Sequence, residues 1–97
     1  MKVKNMTSNK GNKIANQFIV YDDNNNKYFQ SYTSTIVKIS NFIKDNNDLP
    51  LSTTYLDERY WNYSTTTSKY RNIFLEETTK ETQRKIDQGV YVLTNLN

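Results

Sequence analysis

The sequence predicts an α+β domain: a small antiparallel sheet of about four or five strands packed on two short helices, in the order β-β-β-β-α-α-β. Three observations predict it. Runs of β-forming residues, separated by turn chemistry, fill the first two thirds of the chain. Beyond Tyr63 the apolar spacing changes to a helical period. Gly89 then precedes one more β-rich run, Tyr91-Val92-Leu93. No internal repeat is visible.

Residues 1–13 are polar and have no hydrophobic period. They read as a flexible basic arm, which leaves residues 14–97 as a single α+β domain. Ile14 to Asp22 contains Phe18-Ile19-Val20-Tyr21 and reads as the first strand. Asp22-Asp23-Asn24-Asn25-Asn26 is turn chemistry, because Asn and Asp tolerate left-handed backbone. Lys27 to Ser31 returns as the second strand of a hairpin. Ser31 to Ser34 fits a bend or bulge. In Thr35 to Ser40, Val37 and Ile39 alternate around an exposed Lys38, which gives a third strand or a continuation of the second. Asn41 to Asp48 is a polar connection. Leu49-Pro50-Leu51 starts an extended segment, with Pro50 suited to a strand's first residue or an edge. Thr53 to Leu56 reads as the fourth strand.

Tyr70, Ile73 and Phe74 fall at i, i+3 and i+4, one face of a helix placed near 67–76. Ser64 to Ser68 supplies hydroxyl oxygens that can accept its free N-terminal amides. Thr78-x-x-Glu81 is a capping box and marks a second helix near 79–88. Gly89 ends that helix, since it adopts positive φ without strain.

Ninety-seven residues hold one core. The apolar fraction, 35%, is low for a globular domain, and the 13% aromatic content partly offsets it. The chain contains neither Cys nor His. Disulfides, zinc motifs, serine triads and Cys–His dyads therefore cannot be built from it. A carboxylate-only Mg²⁺ site would need a tight carboxylate cluster, and none stands in the sequence. We expect no catalytic residues, no metal and no cofactor, and a protein that is not an enzyme. The net charge of +3 is uneven. Residues 1–13 carry Lys2, Lys4, Lys10 and Lys13 with no acid, whereas the rest carries nine cations against ten carboxylates. No apolar run reaches membrane-spanning length and no secretory h-region opens the chain, so the expected location is cytoplasmic. Frequent Asn, and ten Lys against three Arg, follow the codons of AT-rich genomes such as those of low-GC bacteria and their phages.

Chemistry for binding concentrates between residues 60 and 71, which hold Trp61, three tyrosines, a run of hydroxyls and two cations. Tyr60, Trp61, Tyr63, Lys69 and Arg71 are candidate partner contacts, each weighed against packing; Trp61 reads first as core. Ser64 to Ser68 reads first as capping and second as an anion site with Lys69 and Arg71 nearby. Lys80 and Arg84, i and i+4 on the second helix, either face water or face phosphate, and Glu81–Lys85 is a supporting pair. Lys44 in the 41–48 loop is a further candidate. Tyr28, Phe29 and Tyr32 could stack bases, but strand alternation assigns Phe29 to the face opposite the two tyrosines, and one of those faces must be core.

Three stretches of the chain carry a resemblance. They are Phe29-Gln30-Ser31-Tyr32; Leu56-Asp57-x-x-Tyr60-Trp61-x-Tyr63-Ser64-x-Thr66-Thr67-Ser68-Lys69-Tyr70-Arg71-x-x-Phe74-Leu75; and Thr79-Lys80-Glu81 through Lys85-Ile86, Gly89, Tyr91, Leu93, Asn95 and Leu96. Over residues 16–97 the chain resembles a family of small domains carried by phages and mobile elements of Gram-positive bacteria. It departs from their pattern over residues 41–50, where a polar stretch replaces a short Gly-containing turn. The resemblance implies an accessory protein of a phage or integrated element. Such proteins often bind and disable a host defence enzyme, and an anti-CRISPR inhibitor of an RNA-guided nuclease is the most concrete version. The alternative is a nucleic-acid-binding accessory domain.

Overall fold

The structure, a computed structural model, describes residues 1–41 and 52–97. Six strands and two helices follow one another: β1 (Lys2–Thr7), β2 (Lys13–Tyr21), β3 (Lys27–Ser31), β4 (Ser34–Ser40), β5 (Thr53–Asp57), α1 (Thr65–Leu75), α2 (Thr79–Asp87) and β6 (Tyr91–Thr94). The strands form one sheet in chain order, β1-β2-β3-β4-β5-β6. The α+β class stands, with six described strands where about four or five were expected.

The first of two corrections accounts for the added strand. The basic stretch at the start is no flexible arm over residues 2–7. Those residues pair antiparallel with β2, and Met6 enters the core at 6% exposure. The segment lacks a hydrophobic period because it lies at the sheet's edge, where a single apolar anchor suffices and lysines keep to water. The sheet is also mixed rather than antiparallel. β6 returns after two helices and runs parallel to β5, with Tyr55 opposite Val92. A helical crossover of that kind brings a strand back in the same direction.

Turn chemistry fixes the hairpins. Asn25 has φ 64°, and the Asp22 carboxylate accepts the Asn24 and Asn26 amides at 2.8 and 3.1 Å. The Ser31–Ser34 bend turns on Tyr32, at φ 57°, whose amide donates to the Asn16 carbonyl at 2.7 Å. Ser64 caps α1, so the helix starts two residues earlier than the hydroxyl run alone suggested. The Thr78/Glu81 capping box is present on α2 in both directions. Gly89, at φ 76°, follows that helix. The expected extended start at Leu49-Pro50-Leu51, the 41–48 loop beyond Asn41, and Lys44 lie outside the described residues.

Both helices cover one face of the sheet. Phe29 stacks on Phe74 of α1 with ring centroids 5.6 Å apart. The hydroxyls of Ser31 and Thr67 share a hydrogen bond of 2.9 Å. Phe29, Ile36, Val37 and Leu56 are fully buried, and Tyr60, Trp61, Tyr70, Phe74 and Ile86 pack around them. Ile73, expected on the buried face with Tyr70 and Phe74, instead stands 54% exposed.

Candidate binding surfaces

Strand alternation decides what the other sheet face presents. Because Phe29 and Ser31 face the helices, Tyr28 faces away from them. The register then carries one row across the whole sheet: Val3 lies opposite Val20, Val20 opposite Tyr28, Tyr28 opposite Lys38, Lys38 opposite Tyr55, and Tyr55 opposite Val92. Neither described helix covers it. Val3 is 61% and Val92 40% exposed at the two edges. Between them, the Lys38 ammonium sits 6.0 Å from the Tyr28 ring centre and 5.8 Å from that of Tyr55. A cation between two ring faces is held electrostatically while its head stays open to water. The Tyr28 hydroxyl donates to Asp22 at 2.9 Å, which fixes that ring. Lys38 is half-buried, rather than the exposed residue expected from the sequence.

A second surface gathers around the start of α1. Asn62, Tyr63, Ser64, Thr65, Ser68, Lys69, Asn72 and Thr79 line an open cleft of about 610 Å³. Arg71 lies behind them, fully buried. Its guanidinium donates to the Trp61 carbonyl, to Asn72 Oδ1 at 2.9 Å and to Thr79 Oγ1 at 2.8 Å, with longer contacts of 3.4 Å to Asn62 and Ser68. It also sits 5.1 Å from the Trp61 ring. Burial holds its pKa below the ordinary arginine value, opposed by the field of Glu77.

These positions sort the candidates. Tyr63 and Lys69 line the cleft, and Arg71 lies behind its wall. Tyr60 and Trp61 pack against the core, and the Tyr60 ring meets Tyr63 edge-on at 5.1 Å. Lys80 and Arg84 are exposed on α2, away from the cleft's lining. The Glu81–Lys85 pair does not form. Glu81 caps the Thr78 amide, and Lys85 pairs with Glu77 at 2.7 Å. Glu77 also accepts from Tyr91 and Thr82 at 2.7 and 2.5 Å. Burial alone would raise the Glu77 pKa, but those donors hold it low, while burial and the Glu77 charge push Tyr91 up to about 12. This cluster ties α2 to β6. Sequence reasoning missed the outer sheet row. Its signal was present in the alternation Val20/Tyr28/Lys38/Tyr55, but the strand pairing that makes it a row could not be read from one segment at a time.

Among the described residues, no group of three or more acidic side chains is placed to hold a metal ion. Among the same residues, no helix is long and apolar enough to cross a membrane. No curated protein and no solved structure matches the chain. Residues 1–89 match the model of a family described as a family of unknown function (DUF8033), and the chain belongs to that family.

Proposed function

We propose that the chain is a non-enzymatic binding protein that docks a protein partner on its uncovered sheet face. The single observation that supports this is the row Val3, Val20, Tyr28, Lys38, Tyr55 and Val92. Six strands at a spacing of about 4.8 Å make a face about 24 Å wide, and a five-residue strand such as β3 gives it a depth of about 17 Å. Aliphatic ends and aromatic residues near the centre are the composition of a protein-binding patch.

The resemblance to phage and mobile-element domains narrows the partner to a host defence nuclease, with inhibition by occlusion of an RNA-guided enzyme as the specific form. Occlusion needs a stable shape and no reacting groups, which suits a chain without His or Cys. The test is a cleavage assay with purified RNA-guided nucleases of low-GC bacteria. The wild-type chain should inhibit one of them and form a complex with it. Val20→Lys and Tyr55→Ala should lose inhibition while the thermal transition stays in place. Full inhibition by both variants would remove the sheet face from the mechanism.

Binding of single-stranded nucleic acid is the second reading. It draws on Tyr28 and Tyr55 flanking Lys38, an arrangement suited to stacked bases with a phosphate between. The row contains one cation only, and its ends are aliphatic, so it lacks the positive track that such binding uses. Oligonucleotide binding that weakens steeply with salt would favour this reading over the first.

A further inference from the structure

The cleft at the start of α1 has no part in the docking face. Four groups of facts converge there. First, Ser64 Oγ accepts the Thr67 amide at 3.1 Å and the Ser64 carbonyl accepts the Ser68 amide at 3.0 Å. The amides of Thr65 and Thr66 are left without partners among the described residues, at the positive end of an eleven-residue helix. Second, Lys69 lines the same cleft and is exposed.

Third, and independent of the helix end, a whole positive charge is buried against the cleft's inner wall. Arg71 is fully buried, and its Nε–H has no partner among the described residues. Its terminal nitrogens point at Asn62, Ser68, Asn72 and Thr79, all of which line the cleft. Every one of those acceptors is neutral. No carboxylate lies within ion-pair distance of Arg71 among the described residues. The acid whose field reaches it, Glu77, is already paired with Lys85 at 2.7 Å. Fourth, the neutral acceptors are polarised by this arrangement. Asn62 turns its oxygen toward both Arg71 and the Ser68 hydroxyl, at 3.4 and 2.9 Å, so its amide NH₂ is directed elsewhere. A buried charge without a counter-charge leaves a positive potential in adjoining solvent-filled space, and the cleft lined by four of Arg71's acceptors adjoins it.

We propose that this cleft binds a phosphate-type oxyanion, held by the Thr65 amide and Lys69, with Arg71 as the charge behind the wall. The shared ligand chemistry is a tetrahedral, doubly charged phosphate, either free or carried at the end of a nucleic-acid strand.

The experiment follows the amide resonances of the ¹⁵N-labelled full chain at constant pH and ionic strength while inorganic phosphate replaces chloride. Saturable shifts are expected at Thr65 and the Asn62 side chain, with a Kd on the order of 1 mM. Thr65→Pro removes one donor at a position where proline is compatible with the helix, so the fold should persist while binding weakens about tenfold or more. Lys69→Gln should weaken it several-fold. A second arm uses an oligonucleotide with and without a 5′-phosphate. Shifts of the same amides with the phosphorylated strand alone, at least about tenfold tighter than with inorganic phosphate, assign the site to a nucleic-acid end. Equal or weaker binding assigns it to the free ion. Absence of saturation, or shifts unchanged in both variants, overturns the proposal. Nuclease inhibition by these variants reads the docking face separately.

Discussion

Asp22 and Asp57 show how single carboxylates hold this fold. Asp22 accepts from Asn24, Asn26 and Tyr28, and these hydrogen bonds, the Asn26 side chain foremost, lower its pKa from 3.8 to about 2. A lowered folded-state pKa means that the stabilisation is full above the ordinary value and is lost as pH falls through the folded one. The melting temperature should therefore drop between pH 3.8 and about 2. Asp22→Asn should reduce that acid slope without abolishing it, since Asp57 and Glu77 are also shifted downward. Asp57 is 1% exposed and accepts from the Arg59, Tyr60 and Leu96 amides and from Asn97. Burial would raise its pKa, but these four donors outweigh it. Asp57→Ala leaves them without their acceptor and should cost about 3 kcal/mol in chemical denaturation. Arg71 follows the same logic with the opposite charge. Arg71→Met removes the donors that hold the Trp61 carbonyl, Asn72 and Thr79 together, and the expected loss is about 2–4 kcal/mol.

At the level of elements, what the sequence announced was local chemistry. The Thr78/Glu81 box, Gly89, the Asp22–Asn26 turn and the Lys27–Ser31 strand are each written within a few residues, so each could be read directly. Thr78→Ala should cost about 1 kcal/mol, visible as a lower melting temperature, because the Glu81 amide loses the hydroxyl that caps it, while the amide of residue 78 keeps the Glu81 carboxylate. What stayed illegible depends on partners distant in sequence. β1 looks like solvated chain until β2 supplies its ladder, and only then does Met6 register as an anchor. Lys85 had a suitable partner one helical turn away in Glu81. It chose Glu77 because that carboxylate is buried, where a counter-charge matters more. Ile73 obeyed the helical period yet points to water, since the period gives a stripe and not its width. The same limit applies to the two surfaces. Hydroxyls and cations near residue 64 were visible as a capping run, whereas the outer sheet row exists only once five strand pairings are known.

For the whole molecule, the sheet divides the labour. One face is spent on Phe29, Val37, Leu56 and the two helices, and neither described helix covers the other. Charge reversal at the centre of the outer sheet row, Lys38→Glu, should leave the circular dichroism spectrum unchanged and weaken binding of the proposed partner by at least tenfold if that partner supplies an anion there. Stability should change by less than about 1 kcal/mol, because the ammonium is only half-buried and makes no ion pair among the described residues.

β1 and β6 close the order of strands at opposite ends, and each has one side without a neighbouring strand among the described residues. Such a molecule has the geometry of a link in a chain: the right-hand rim of one copy could zip onto the left-hand rim of the next, and nothing in the symmetry would stop the growth. Lys2 and Lys4 stand guard on the first rim, because a strand that paired there would strip water from their charges. Replacing both with valine should turn a dispersed solution into fibrous, thioflavin-positive material on standing, and light scattering would time its onset.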